Sequence, residues 1–341
     1  MSTIPDRLLS QLAHVELVNS DPEASARFFH DILGLEESGR DGQSIYLRGW
    51  GENFHHSLVI TEGEPAFGHI GWRAASPEAL ETAAERLEAS GHGLGWVDPV
   101  TGHGRAYRFR GPGGHLEEVF WDVERYRATG DLAPLFPHRP QRYRPRGVAA
   151  RHIDHVTIAT ADILADVKFR RDVLGFRYTG WTTHPANPDM VVFAQCTTNE
   201  QAHDLGLVPE FAEARGRLNH VSYWVDQRED VLRGADVLLD HEVPLEFGPG
   251  RHGMGEITYL YFREPNGARI ELNSGGYRNY EPDLEPVEWR PQQGSNDWYR
   301  TSVFPDSMGD CFPPPADGVD PTRASTEAIK LHYVVRHAAT S

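Results

Sequence analysis

The sequence predicts an α+β protein built as a tandem repeat. Three observations carry this expectation. Short stretches rich in β-branched and aromatic residues outnumber the helical ones. The motif order of the first half begins again in the second. A proline-rich, basic segment separates the halves.

Taken in order, residues 1–11 read as a helical or loose arm. His14-Val15-Glu16-Leu17-Val18-Asn19 alternates and reads as a strand. Ser20 or Asp21 caps the helix that follows, and Pro22 stands in its first turn, where a missing N–H costs little. Ala26, Phe29, Ile32 and Leu33 give that helix an apolar face, and Gly34 ends it. Strands are expected at 43–49, 56–62 and 67–74. Ser76 caps a second helix over 77–89, stopped near Gly91. Further strands are expected at 105–110 and 115–121, joined by Gly111-Pro112-Gly113-Gly114.

The segment 123–150 reads as a connector. Pro134, Pro137, Pro140 and Pro145 alternate there with Arg139, Arg142, Arg144 and Arg146, a composition that suits an interdomain crossing. The pattern then restarts. His155-Val156-Thr157-Ile158 echoes His14-Val15-Glu16-Leu17, and Phe169 to Phe176 echoes Phe28 to Leu35. Asn219-His220-Val221-Ser222 echoes Gly68-His69-Ile70-Gly71. Pro265 to Glu271 echoes Pro112 to Glu118. The chain is a duplicated unit of about 140 residues, and a repeat of that kind decides the architecture. Each unit holds two smaller modules of the form strand, helix, strands.

The stretch from Gly248 to Asn273 organises the second unit. Ile257 to Arg263 reads as a strand, Pro265-Asn266-Gly267 as a turn, and Ala268 to Asn273 as the returning strand. Glu271 is then a carboxylate in the middle of a buried strand, which is costly unless it is paired or bound to a metal. After Ser274 the chain is irregular but aromatic, unlike disordered segments. It is expected to wrap back over the second half, with a hint of a strand or short helix from Ala328 to His337. The expected division is 1–146, 147–290 and an extension, 291–341.

Composition narrows the function classes. The chain has 341 residues, 39% hydrophobic and 24% charged, as in ordinary globular proteins. A formal charge of −17 disfavours general binding to nucleic acid or anionic membranes. No apolar run is long enough to span a bilayer, and the N-terminus lacks a signal-peptide layout. Cys196 and Cys311 are the only cysteines, which fits a reducing, cytoplasmic setting better than a disulfide scaffold.

Three positions carry the chemistry: His155, His220 and Glu271. Each imidazole alone is more often a core or edge residue than a ligand. Repeat-equivalent positions on a sheet that curls on itself reverse that preference. Two imidazoles and one carboxylate, with open positions left over, form the facial triad of non-haem Fe(II) oxygenases, and Mn(II) accepts the same donors.

With these residues, the sequence resembles the type I extradiol ring-cleaving dioxygenases of the vicinal oxygen chelate superfamily, such as catechol 2,3-dioxygenase. The likeness runs from residue 12 to about 290 through His155-Val156, Ala202-His203-Asp204, Leu218-Asn219-His220 and Gly248 to Leu272. It implies a glyoxalase-like fold of tandem βαβββ modules forming two barrel-like domains. It also implies metal ligands His155, His220 and Glu271, with His203 assisting oxygen activation and proton transfer. Tyr261 would hydrogen-bond the substrate oxygen, and His252 would line the substrate pocket. The implied reaction is extradiol cleavage of a catechol by O2, in a homo-oligomer (dimer or tetramer).

The first half has its own His14, His69 and Glu118, with His56 near the position of His203. Arg108 stands there in the place of Tyr261, and a cation beside a metal pocket opposes metal binding. The loop from Asn53 to His69 is also shorter. The first half therefore reads as a degenerate, non-catalytic copy.

Phe247, Phe193, Trp181 and Thr157 are candidate pocket residues. They favour a neutral, hydrophobic catechol, alkyl- or aryl-substituted. Ordinary core packing is the competing reading of the aromatics, and Arg251 and Arg300 could still meet a carboxylated catechol. A metal-dependent glyoxalase-like isomerase and a non-catalytic binding module are the rival functions.

Overall fold

The computed structural model of the chain describes residues 6–299 and 305–314. Its elements follow one recurring order, a strand, a helix and three strands. The first half holds β1 (Leu9–Asn19), α1 (Pro22–Phe28), β2 (Glu36–Asp41), β3 (Ser44–Arg48) and β4 (Leu58–Glu62). Then come β5 (Ala66–Ala74), α2 (Pro77–Ala89), β6 (Gly93–Val97), β7 (Ala106–Arg110) and β8 (Leu116–Phe120). The second half holds β9 (His152–Thr160), α3 (Ile163–Leu174), β10 (Arg177–His184), β11 (Asn187–Thr197) and β12 (Leu205–Pro209). Its second module is β13 (Leu218–Trp224), α4 (Arg228–Asp240), β14 (Leu245–Arg251), β15 (Ile257–Arg263) and β16 (Arg269–Gly275). A short β17 (Val287–Trp289) follows.

These are the expected βαβββ modules. In each, the first strand pairs in parallel with the last: β1 with β4, β5 with β8, β9 with β12, and β13 with β16. The first strands of successive modules pair antiparallel, β1 with β5 and β9 with β13. The sheets therefore run β2-β3-β4-β1-β5-β8-β7-β6 and β14-β15-β16-β13-β9-β12-β11-β10-β17. Two module-initial strands lie at the centre of each sheet.

Local chemistry sets the helix ends. Asp21, Ser76 and Asp162 accept from the backbone N–H groups of Ala24, Ala79 and Ala165. After α1 the chain adds one π-helical turn, Phe29–Leu33, and stops at Gly34. Gly34 and Gly175 have φ of 77° and 76°, the left-handed region that glycine tolerates. A Cβ would also strike a backbone oxygen at both, that of Arg146 at 2.3 Å and that of Asp6 at 1.9 Å.

Some elements differ from expectation. The N-terminal arm gives way to β1 at Leu9, because Leu8, Leu9 and Leu12 are buried in the core. Strands β2 (Glu-Glu-Ser-Gly-Arg-Asp) and β6 (Gly-Leu-Gly-Trp-Val) were not anticipated. They lie at the two ends of their sheet, where polar residues and glycine are tolerated and no buried face marks a period. Strand β17 adds to the outer edge of β10. The segment Ala328 to His337 and Arg300 lie outside the described residues. Among the described residues, no helix is long and apolar enough to cross a membrane.

One buried core joins the halves, with Trp72 edge-on to Phe176 at 5.0 Å. An ion pair crosses the same boundary. Arg170 of α3 donates to both oxygens of Glu117 on β8, at 2.5 and 2.6 Å, and to Asp166 at 2.9 Å. Trp72 Nε1 donates to Glu117 as well, at 2.7 Å. All three ionic side chains are fully buried. Removing one partner strands a buried charge, at a cost of about 3–5 kcal/mol. Glu117→Ala is expected to lower unfolding free energy by about that amount in urea denaturation. A loss below about 1 kcal/mol would show that the pair does not tie the halves together.

Candidate metal centre

The β9–β13 pair brings two imidazoles together. His155 on β9 stands opposite Ser222, and His220 on β13 stands opposite Thr157, next to a register shift at Asn219. Strand β16 lies beside β13 and presents Glu271 from the position paired with Ser222. The outcome is a tight cluster. His155 Nε2 lies 3.0 Å from His220 Nε2 and 2.9 Å from Glu271 Oε2, which is 3.2 Å from His220 Nε2. With metal–ligand bonds of about 2.1 Å, neighbours on an octahedral face are about 3.0 Å apart. The three atoms have the spacing of one such face.

The tautomers point the same way. His155 Nδ1 donates to Asp154 Oδ2 at 2.8 Å, and His220 Nδ1 donates to Asn219 Oδ1 at 2.8 Å. In the neutral rings each proton is drawn to Nδ1, and both Nε2 atoms would offer lone pairs to a metal. Two lone pairs facing each other at this distance repel unless a proton or a metal ion lies between them. Asp154 is itself held by Gln201 at 2.9 Å and Asn273 at 2.8 Å. Glu271 is 1% exposed, and neither of its oxygens makes an aligned hydrogen bond. A carboxylate so buried, with only imidazoles beside it, costs several kcal/mol, which a divalent cation at the common centre would offset. The donor set fits a metal ion, with room for further ligands on the cavity side.

The other anticipated residues surround this cluster. His203, in the turn before β12, packs its ring 4.2 Å from that of His155. Burial, reinforced by the neighbouring imidazoles, holds its pKa well below the usual histidine value, so the ring is neutral. Gln195 Nε2 meets His203 Nδ1 at 3.1 Å, leaving Nε2 of His203 free. Tyr261 on β15 is paired directly with Glu271 across the strands. Burial and the Glu271 charge raise its pKa well above the ordinary phenol value, so it stays protonated. Its hydroxyl donates to His252 Nε2 at 3.0 Å, while His252 Nδ1 donates to the Asn296 carbonyl.

A cavity of about 170 Å³ opens onto Glu271, His155 and His220. His203, His252, Tyr261, Thr157 and Phe193 also line it. Phe247 does not. It stacks on Tyr259 at 5.1 Å and packs against Tyr261 and Met308, so it supports the tyrosine from behind. Trp181 stacks on Tyr178, also off the cavity. Arg251 pairs with Glu256 at 2.7 Å and lies over Trp298, and it does not line the cavity either. The walls instead use residues that sequence reasoning missed: Val192, Phe211, Met254 and Ile257. Met308 and Cys311 close one side, so the described residues 305–314 pack against the second half. Both cysteines are free and buried.

Fold and donor set define a single-metal enzyme centre on paired βαβββ modules. The sequence model of the Glyoxalase/Bleomycin resistance protein/Dioxygenase superfamily matches residues 11–119 and 152–272. A metapyrocatechase of Geobacillus stearothermophilus is 37% identical over 88% of this chain and 92% of its own. A manganese-dependent 2,3-dihydroxybiphenyl 1,2-dioxygenase of Geobacillus genomosp. 3 is 37% identical over 87% of this chain and 96% of its own. The anaerobic complex of homoprotocatechuate 2,3-dioxygenase from Brevibacterium fuscum with 3,4-dihydroxyphenylacetate superposes with a TM-score of 0.80. It is 26% identical and covers 93% of this chain and 97% of its own. The chain belongs to that superfamily, among its extradiol dioxygenases.

The role of Asp154 is testable apart from turnover. Asp154→Ala is expected to weaken Fe(II) or Mn(II) binding about 10- to 100-fold, as loss of a partner behind a ligand usually does. Competition against a chromophoric chelator measures this. Unchanged affinity would remove Asp154 from the account.

Proposed function

We propose that the chain opens the ring of a neutral, hydrophobic catechol beside its two hydroxyls, using O2 and an Fe(II) held by His155, His220 and Glu271. Mn(II) suits the same donors. The observation that carries this reading is the cavity itself. Its floor is the donor cluster, its flanks are His203, His252 and Tyr261, and no Arg or Lys is among the described residues lining it. A cavity of about 150 Å³ accepts benzene, so one aromatic ring fits.

When bound, the metal supplies adjacent positions for the catechol oxygens and O2, and passes electron density from ring to oxygen. The protein's own residues do the rest. His203 is neutral and offers Nε2 to the cavity. Gln195 can present either its amide N–H or, turned over, its carbonyl to Nδ1. In one orientation His203 Nε2 is free to take a catechol proton, and in the other it carries a proton to give to oxygen. Tyr261 holds its proton at neutral pH and can turn its O–H from His252 to the substrate oxygen. Phe193 and the aliphatic walls fix the ring and exclude water, which strengthens these contacts. The product takes up both atoms of O2, as a ring-opened acid of the 2-hydroxymuconic semialdehyde type.

The names of two relatives frame the substrate choice. One carries dihydroxybiphenyl and the other a carboxylated catechol. The absence of a cation from the described lining supports the former for this chain. The two buried thiols suit a reducing cytoplasm. We also propose a dimer or tetramer, like many members of the family.

The test is anaerobic loading with Fe(II), then oxygen uptake and yellow product with 3-methylcatechol, 2,3-dihydroxybiphenyl and 3,4-dihydroxyphenylacetate. The neutral catechols are expected to exceed the carboxylated one by at least about tenfold in kcat/KM. The reverse order would overturn the substrate reading, and no uptake despite bound metal would sink the activity. His203→Gln is expected to lower kcat by about 10²- to 10⁴-fold at unchanged metal content. An unchanged kcat would remove the proton-transfer role.

A further inference from the structure

The first half repeats the cluster with one more donor. His14 on β1 and His69 on β5 bring their Nε2 atoms to 2.9 Å. Glu118 Oε1 on β8 lies 3.6 Å from His14 and 3.5 Å from His69. His103, in the turn before β7, places Nε2 at 3.0 Å from the same oxygen. His14, His103 and Glu118 are all buried. Given bonds of about 2.1 Å, the two shorter separations lie near the octahedral edge of about 3.0 Å and the two longer ones near the tetrahedral edge of about 3.4 Å.

The surroundings hold the donors inward. Glu16 Oε2 accepts from His69 Nδ1 at 2.8 Å, and the Gly104 carbonyl accepts from His103 Nδ1 at 2.8 Å. With a metal in place, each would present Nε2 to the cluster. In the second half Asn219 performs this service for His220. The position equivalent to Asn219 is Gly68, and that equivalent to Thr157 is Glu16. A Cβ on Gly68 would come within 2.3 Å of Glu16 Oε2. One acceptor has been exchanged for another from the neighbouring strand, and the histidine keeps its orientation. Gly71 likewise makes room for the His14 ring, since a Cβ there would lie 2.2 Å from His14 Cε1.

Arg108, expected to oppose a metal here, meets the carboxylate from its outer side. Its Nε lies 3.2 Å from Glu118 Oε2, the outer oxygen, and leaves Oε1 to the histidines. Glu16 and Glu118 together supply the negative charge that a divalent ion requires. Aromatic packing closes the site: Phe120 stacks on His103 at 4.2 Å and on His14 at 5.5 Å.

We propose that the first half carries a second metal site, in which His14, His69, His103 and Glu118 hold a divalent ion of the zinc type in a closed shell with no part in ring cleavage. Four protein donors of this kind leave no position for substrate, as in structural zinc sites. The ion would brace β1, β5, β8 and the turn before β7.

The test is metal binding by the full-length chain, stripped with a chelator and titrated with Co(II). Two equivalents per chain are expected. One gives the intense visible bands of a tetrahedral ion and persists in His220→Ala. The other gives the weak bands of higher coordination and is lost in His220→Ala. His103→Ala and His69→Gln are each expected to abolish the intense bands and leave the weak equivalent, with unchanged far-ultraviolet circular dichroism. A single equivalent lost in His220→Ala would overturn the proposal, as would intense bands insensitive to both first-half variants. Intense bands without any weak equivalent in the unsubstituted chain would count against the second-half centre instead, so the two readings fail separately.

Discussion

The geometry of both clusters depends on one pairing, the antiparallel contact between the first strands of successive modules. It sets His155 beside His220 and His14 beside His69, from residues far apart in sequence. The last strand of each second module lies parallel to its first strand and brings the carboxylate to the same place. A register slip of one residue would turn each of these side chains to the opposite face. The buried hydrophobic residues between them, such as Val156 and Val221, oppose that slip because it would expose them.

Alternation along β8 and β16 gives the carboxylates their separate tasks. Glu117 and Glu118 are adjacent, so they point to opposite faces. Glu117 meets Arg170 in the seam between the halves, and Glu118 meets three histidines. On β16, Glu271 faces its two imidazoles, while neighbouring Ile270 and Leu272 enter the core. A buried carboxylate is too costly to persist without compensation, and both strands supply it from elements distant in the chain.

Much of this was legible in the sequence because duplication prints the same motifs twice. The repeat exposed the modules, the helix caps and the strand positions of His155, His220 and Glu271. Phe247 was misplaced because its position before the Gly248 loop does not reveal its packing partners, and it stacks on Tyr259 and Tyr261 instead of lining the cavity. The cavity walls were missed because Val192, Met254 and Met308 come from segments with no shared period. His103 was missed for a different reason. Its signal was present, since Gly102-His103-Gly104 parallels Arg251-His252-Gly253 before the corresponding strand. The turns differ in length, however, and comparison by strand positions passes over them.

That last pair explains how one scaffold gives an open centre and a crowded one. His252 and His103 occupy corresponding turns, yet His252 Nε2 stays 3.9 Å from Glu271 and His103 Nε2 comes to 3.0 Å from Glu118. The difference lies at the residue paired with each carboxylate, Tyr261 in one half and Arg108 in the other. The tyrosine hydroxyl engages His252 Nε2 and keeps it as a wall of the cavity. Arginine offers no acceptor or hydroxyl to the turn and binds the outer carboxylate oxygen instead. The histidine is then free to close on the inner oxygen. A single cross-strand position thus decides whether the third imidazole stands back from the carboxylate or closes on it.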